Sequence, residues 1–465
     1  MNTVSPPLLS VCMIVKNEAA NLQNCLQSVQ PVADEIIVVD TGSEDDSVAL
    51  AKQFGAQVVI ADWRNDFSYA RNISLEHATG SWILWLDADD RIPHSSVAGI
   101  QALKQQKPDK VVGMIVRNQK PNGTGTEFIQ ARMFPNDPRI RFERPIHEQI
   151  MPSAAQAGYR MIPTDIVIEH HGYANYETMK KKAGRNVSIL LKDADGKTAD
   201  PFYLIEIADS YTIMDDRENA LAWYEKLLAM PDCEKRFKVL ASQAHYGLGN
   251  ICNKKEAYDQ AVAHFIRSAD LCPERTDALY CLAVSFEKQG EKNSAADTLK
   301  RIFDKAHTPL PVGVDYRQTE IKAWIRLTRL LRELDDTKEL ENICARALAK
   351  AGTRPEVLNA VGIAYYYLNK PIDALHCFEK SITIIKQGNI DAYAGLCFIY
   401  LKAGRRQVAE QTIINTLPLF KDMPRYRALC EITGIQNPEP VIPDQITMEQ
   451  IETEKEYLKK TFFVR

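Results

Sequence analysis

The chain reads as an α/β domain built on a parallel sheet, followed by an all-helical repeat array. Three observations carry that reading. Short apolar runs alternate with helix-period segments through the first third of the sequence and end in acids, the pattern of parallel strands joined by crossover helices. One run, Trp82-Ile83-Leu84-Trp85-Leu86, stops abruptly at Asp87-Ala88-Asp89-Asp90. Later in the chain, small and apolar residues recur with a period of about 34 residues.

Taken in order, Leu9 to Val15 is an apolar run ending in Lys16-Asn17-Glu18. A helix pattern follows from Ala19 to Val29, with Leu22, Cys25, Leu26 and Val29 on one face. Glu35 to Val39 is a second strand, running into Asp40-Thr41-Gly42-Ser43. Ser43 or Asp45 is expected to cap the next helix, Asp46 to Phe54. Gly55 to Ile60 gives a third strand, and a helix carrying Phe67, Ala70, Asn72 and Leu75 leads to the Trp82 strand. Its five large apolar residues after Gly80 predict burial on both faces.

Ligands of such a sheet gather at the carboxyl ends of its strands. Asn17 with Glu18, Asp40, and Asp87 with Asp89 stand at those ends. Side-chain alternation puts Asp87 and Asp89 on one side, two hard oxygen ligands for Mg²⁺ or Mn²⁺. Three carboxylates at the end of a buried strand are costly without a cation. Plainer alternatives exist: an acidic turn for Asp87 to Asp90, helix caps for Asn17, Glu18 and Asp40, and a surface ion pair of Arg71 with Asp66.

Further on, Lys110 to Val116, Thr126 to Phe134 and Arg139 to Phe142 read as strands, the last two joined by Asn-Asp-Pro turn chemistry. The strand Asp165 to Glu169 leads into His170-His171-Gly172-Tyr173. Lys180, Lys181, Lys182 and Arg185 form a basic helix face, solvated unless it meets a charged acceptor or a diphosphate.

The repeat signal is clearest from Gln243 (Leu248, Gly249, Ala261, Phe265, Pro273) and around Val361, Gly362, Tyr365, Ala374 and Phe378. About six units extend from 201 to 421. A connector with Pro and Gly, His307 to Tyr316, interrupts the spacing. Pro438 to Pro443 reads as a linker and Met448 to Lys460 as a terminal helix. The expected domains are therefore 1–195, 196–436 and 437–465.

Composition narrows the function. With 45% hydrophobic and 25% charged residues and a net charge of -4 in 465 residues, nothing draws the chain to nucleic acid. No signal peptide or membrane span is expected. Ten cysteines without a CxxC pair fit a reducing, cytoplasmic setting. The absence of GxGxxG after the first strand and of GxxxxGK[ST] counts against dinucleotide oxidoreductases and P-loop NTPases.

The ordered set Val15-Lys16-Asn17-Glu18, Val38-Val39-Asp40-Thr41-Gly42-Ser43, Asp62-Trp63 with Asp66 to Asn72, and Leu86-Asp87-Ala88-Asp89-Asp90 resembles glycosyltransferase family 2. The array resembles tetratricopeptide repeats. The first resemblance implies a GT-A fold and an inverting transfer from a nucleotide sugar, a UDP-sugar by default, with a divalent metal, Mn²⁺ or Mg²⁺. By that resemblance Glu18 and Asp40 meet the nucleoside, Arg71 is a donor-side basic residue, Asp87 lies near the ribose and metal, and Asp89 binds the metal. His147-Glu148 and His170 to Tyr173 resemble elements of the branch that carries such repeats. There His170, with His171 as second choice, completes the metal site.

The reaction needs a base for the acceptor proton. Glu148 is the first candidate and Asp90 the alternative. The repeats offer a concave face for a peptide or protein acceptor or for a second copy of the chain. The competing readings are a non-processive glycosyltransferase of cell-surface glycan synthesis and a repeat scaffold with an inactive transferase domain. A processive synthase is disfavoured, with no QxxRW and no membrane helix.

Overall fold

The computed structural model describes residues 8–118, 125–172, 176–193, 200–305, 308–420, 423–435 and 447–463. Tyr173, His307 and the expected linker Pro438 to Pro443 lie outside them. The strands are β1 (Leu9–Val15), β2 (Glu35–Asp40), β3 (Gln57–Ile60), β4 (Trp82–Asp87), β5 (Asp90–Arg91), β6 (Val111–Asn118), β7 (Glu127–Pro135) and β8 (Met161–His170). They form one sheet in the order β3-β2-β1-β4-β7-β6-β8-β5. The first four strands of that order pair in parallel. β7 then runs antiparallel to both β4 and β6. Helices α1 (Ala19–Val29), α2 (Ser47–Gln53), α3 (Phe67–His77), α4 (His94–Lys104) and α5 (Met151–Gln156) connect the strands.

The central strands are apolar because both faces are covered. Leu9, Val11, Trp82, Leu84 and Leu86 pack with Leu22, Leu26 and Val29 of α1. Cys12, Ile37, Ile83 and Trp85 pack with Phe134 and Phe142 in a second cluster. Since side chains alternate, Asp87 follows Trp85 onto that second face. The register sets Val15 beside Asp40 and Ile14 beside Asp87. The acids are therefore level across three strand ends.

One expected strand is absent. Residues 139–142 do not join the sheet, although Ile140 and Phe142 are buried in the core. The Asn72 side chain takes over the backbone of Phe142, accepting its N–H and donating to its carbonyl, both at 2.9 Å. The apolar pattern marked burial there, and a side-chain amide replaced the neighbouring strand.

β4 and β7 stay paired only from Trp82↔Pro135 to Leu84↔Met133. Where β4 departs, the connector takes its place. The Ile129 N–H donates to the Leu310 carbonyl, and Glu127 and Val314 exchange backbone bonds, at 2.9 to 3.1 Å.

After α6 (Tyr176–Asp193) come α7 (Pro201–Ile213), α8 (Arg217–Leu228), the single-turn α9 (Cys233–Arg236), α10 (Lys238–Lys254) and α11 (Tyr258–Leu271). They are followed by α12 (Thr276–Lys288), α13 (Lys292–Phe303), α14 (Tyr316–Glu333), α15 (Thr337–Ala351), α16 (Pro355–Tyr367), α17 (Pro371–Ile384), α18 (Ile390–Lys402) and α19 (Arg406–Phe420). With α9 set aside, these helices make six successive pairs between Pro201 and Phe420. The same close contact recurs in different repeats. A β-carbon on Gly249 would sit 2.7 Å from the Phe265 ring, and one on Gly362 2.7 Å from Phe378. The small residue lets the aromatic of the next helix reach the backbone. Helices α20 (Pro424–Thr433) and α21 (Met448–Phe462) close the array. Phe462 stacks on Phe398 with ring centroids 4.6 Å apart, and Thr447 with Gln450 forms a capping box at the start of α21.

Two compact units result, Met1–Ser285 with Lys305–Gln318, and Phe286–Asp304 with Thr319–Arg465. The last strand of the sheet ends at His170, and helices follow it within the first unit. Ile146, Leu190, Tyr203 and Ile207 share one apolar cluster, so α6 and α7 pack with the sheet-bearing unit. None of the ten cysteines is in a disulfide. Among the described residues no helix is long and apolar enough to cross a membrane.

Gly362→Val would drive two methyl groups into Phe378. The second unit is expected to lose about 1–3 kcal/mol, the usual cost of overpacking. Urea unfolding checks this; an unchanged midpoint would show that Phe378 has room to yield.

Candidate active site

The loops after β1 and β2 are tied to each other. Asn17 adopts a left-handed conformation, φ 56°. Its side-chain oxygen accepts the Glu44 N–H at 2.7 Å, and its own N–H donates to Ser43 Oγ at 2.9 Å. Asp45 reaches back to accept the Ala19 N–H at 3.0 Å, so the start of α1 is capped from the neighbouring loop. Glu18, the residue before α1, makes no side-chain cap bond. One of its oxygens accepts from the Asn21 amide at 2.9 Å. Asp40 is 2% exposed. Its Oδ1 accepts the N–H groups of Gly42 and Ser43 at 3.0 and 2.9 Å. Its Oδ2 is buried without a partner, an acceptor suited to a ligand N–H or hydroxyl.

Arg71, on α3, is 4% exposed and stacks on Trp85, its guanidinium carbon 4.2 Å from the ring centroid. Its Nη2 donates to Asp87 Oδ1 at 2.6 Å and its Nε to Glu148 Oε1 at 2.5 Å. Nη1 is buried without a partner. The surface ion pair with Asp66 does not form. Asp66 instead caps α3, accepting the Tyr69 N–H at 2.9 Å. Glu148 is set by a loop in which Arg144 and His147 both have positive φ, 79° and 52°. Phe67 N–H holds that loop through the Pro145 carbonyl at 2.8 Å.

Asp90 is wholly buried. Its Oδ2 takes Arg132 Nη1 and the Asp87 N–H, both at 2.8 Å, and its Oδ1 meets His170 Nδ1 at 2.9 Å. Both oxygens are engaged, and the carboxylate has no route to an acceptor. That placement fits an orienting group and speaks against Asp90 as the base. β8 brings His170 to this point by pairing directly with Asp90. With Nδ1 toward Asp90, and 3.3 Å from Asp89 Oδ1, Nε2 is the atom left to face a ligand. His171 turns elsewhere, its Nε2 3.4 Å from Glu169.

Asp87, Asp89, Asp90 and His170 form a group whose ligand atoms lie within 4.8 Å of one another. Burial raises Asp89 to about 6; nearby Asp87, Asp90 and Glu18 add to this and His170 offsets part of it. Burial also opposes ionisation of Asp87, but Arg71 and Arg132 overcome it and hold Asp87 down at about 2. His170 is raised despite burial, through its bond to Asp90 and the charge of Asp89. Asp89 is thus the acid whose charge is least compensated by protein. A β-carbon built on Gly172 would lie 2.6 Å from both Asp89 Oδ2 and His170 Nε2. Glycine therefore keeps open the space these two atoms share. Hard carboxylate oxygens with one imidazole fit Mn²⁺ well and Mg²⁺ acceptably.

These groups open into a cavity of about 1160 Å³. Glu18, Arg71, Asp87, Asp89, Glu148 and His170 are on its wall, as are the exposed Lys182 and Arg185 of the basic face. Asp40 and Asp90 stand behind the wall, and Thr41 lines the cavity in place of Asp40. Sequence reasoning missed Arg132, which is 2% exposed, stacks 3.8 Å from the centre of Trp85 and pairs with Asp90. The available signal was a lone arginine inside the apolar run Phe128 to Phe134.

The same segment matches a known family. Residues 10–167 fit the family model of glycosyl transferase family 2. With the sheet and acids described above, this part of the chain is a family 2 glycosyltransferase domain, and paired helices follow it. Among curated proteins, the chain is 39% identical over 172 residues to a TPR repeat-containing protein of Synechococcus elongatus, covering 36% of this chain and 42% of that one. It is 28% identical over 244 residues to the SPbeta prophage-derived glycosyltransferase SunS of Bacillus subtilis, covering 52% and 56%. The chain spans about half the length of these curated relatives. Among solved structures, the TPR protein YrrB aligns with 21% identity and a TM-score of 0.34, over 45% of this chain and 98% of that one.

Gly172→Val should lower Mn²⁺ affinity about tenfold or more, on the scale of losing a group that orients a ligand. Calorimetric titration with Mn²⁺ reads this, with circular dichroism to verify the fold. Unchanged affinity would remove Asp89 and His170 as a ligand pair.

Proposed function

We propose that the chain is a metal-dependent, inverting glycosyltransferase of the cytoplasm, moving a sugar from a nucleotide-sugar donor, UDP-linked by default, to a peptide or protein acceptor. The observation that carries this is the convergence of Asp87, Asp89 and His170 beside Arg71 on one cavity wall. A divalent cation held by Asp89, His170 and Asp87 would neutralise charge on the leaving diphosphate.

The chain's own residues supply the rest. Asp40, with one unpaired buried oxygen, and Glu18 sit at the ends of adjacent strands where a nucleoside would lie. Arg71 offers an unpaired Nη1 to a phosphate oxygen. Glu148, on the cavity wall and steadied by Arg71, is the group we assign to take the acceptor proton. Asp90 and Arg132 orient His170 and Asp87 from behind. A scaffold with a dead domain would have no reason to keep so many ionisable groups buried around an opening, since each costs several kcal/mol unless matched.

The reading is tested with nucleotide sugars. UDP-sugars should raise the melting temperature only when Mn²⁺ is present, and Asp89→Ala should abolish Mn²⁺-dependent donor hydrolysis. A variant that still hydrolyses donor normally contradicts the metal assignment. Glu148→Gln is expected to slow transfer about a hundredfold or more while the donor still binds. If transfer persists at the wild-type rate, the base lies elsewhere.

A further inference from the structure

The connector Thr308 to Val314 stands outside the repeat pattern. In the structure it is built into the sheet-bearing unit. It occupies the edge of β7 that β4 leaves after Leu84, through backbone bonds at Glu127 and Ile129. Leu310, Val314 and Tyr316 anchor it in a cluster with Cys272, against which Val239 and Val312 pack. The Tyr316 hydroxyl closes its base by donating to the Thr308 carbonyl at 2.9 Å. The cavity therefore opens between the diverging end of β4, with its acids, and the connector. Pro311 and Val312 line it from the connector, and Val239 and Leu240 from the start of α10. Pro311 is exposed; the other three are half-buried.

At about 1160 Å³ the cavity exceeds the usual size for one small ligand. Its acidic wall suits the donor. Val239, Leu240, Pro311 and Val312 add apolar side chains to its lining. A glycan, with a hydroxyl on nearly every carbon, would lose hydrogen bonds to water there without replacement. An aliphatic or aromatic side chain would gain from the same contact.

We propose that Val239, Leu240, Pro311 and Val312 form an acceptor subsite. It takes an apolar side chain of a peptide next to the residue that is modified. This rests on the glycosyltransferase reading and adds to it that the acceptor is a peptide selected by the connector. The connector's own β7 pairing leaves no open edge at Glu127 and Ile129 for strand addition, so selection falls to these side chains.

The test uses the full chain saturated with UDP and Mn²⁺. Fluorescein-labelled pentapeptides carrying Ser followed by Leu or by Asp, and labelled maltotriose, are titrated by fluorescence anisotropy. The Leu peptide should bind about tenfold tighter than the Asp peptide, the scale of one apolar side chain entering a pocket. Val312→Asp should erase that preference and Val312→Ile should keep it. Equal binding of both peptides, no binding of either, or binding of maltotriose alone overturns the proposal. Failure of UDP with Mn²⁺ to stabilise the wild-type chain instead sinks the donor reading on which it rests.

Discussion

Everything at the carboxyl end of the sheet depends on neutralising acids that the fold has taken out of water. Asp90 is wholly buried, where an unmatched charge would cost several kcal/mol, and the partly exposed Asp87 stands beside it. Arg71 and Arg132 answer them from different elements, α3 and β7, and both stack on the one indole of Trp85. Arginine suits this place because its flat, weakly hydrated cation can lie on an aromatic face and still present a fork of donors at its rim. Trp85 is itself fixed by its ring N–H, which donates to the Ala131 carbonyl at 2.7 Å. One aromatic side chain thus sets the height of two cations, and the cations set the acids. Asp89 falls outside this compensation, which leaves its charge for a cation to answer.

Much of this was legible in the sequence because the informative residues are contiguous. The run Trp82 to Asp90 declares a buried strand and its acids without reference to any other segment. The strands around it follow from apolar runs punctuated by Asn, Asp and Gly. The partnerships were less legible because their members are far apart. Arg132 and Asp90 are separated by 42 positions, and His170 and Asp90 by 80. Local reasoning offered Arg71 the nearby Asp66, but a backbone N–H at the helix start claimed that carboxylate first. Residues 139–142 show the same limit: periodicity reports burial, and which group satisfies the backbone is decided by tertiary packing.

The sheet divides its labour along its strand order. The parallel strands β3, β2, β1 and β4 end level with one another and present acids and loop backbone, as open α/β sheets do. The antiparallel β7 crosses that pattern and carries Arg132 at one point and the connector's bonds at another. β7 is therefore the element through which the connector, from beyond residue 300, becomes part of the cavity lining.

The way the connector is held has a consequence for how such a chain can diversify. Its attachment to β7 is made by peptide groups, which every residue except proline supplies in full. Its hold on the helices runs through Leu310, Val314 and Tyr316, with Val312 packed against them. The side chain of Pro311 is exposed and stands outside that cluster. Substitution there changes the lining of the cavity while the strand-like path, the sheet and the acids stay as they were. The wall behaves as a replaceable tile on a fixed frame, so the range of molecules admitted can drift over evolutionary time without any loss of the buried charge balance on which the other wall depends.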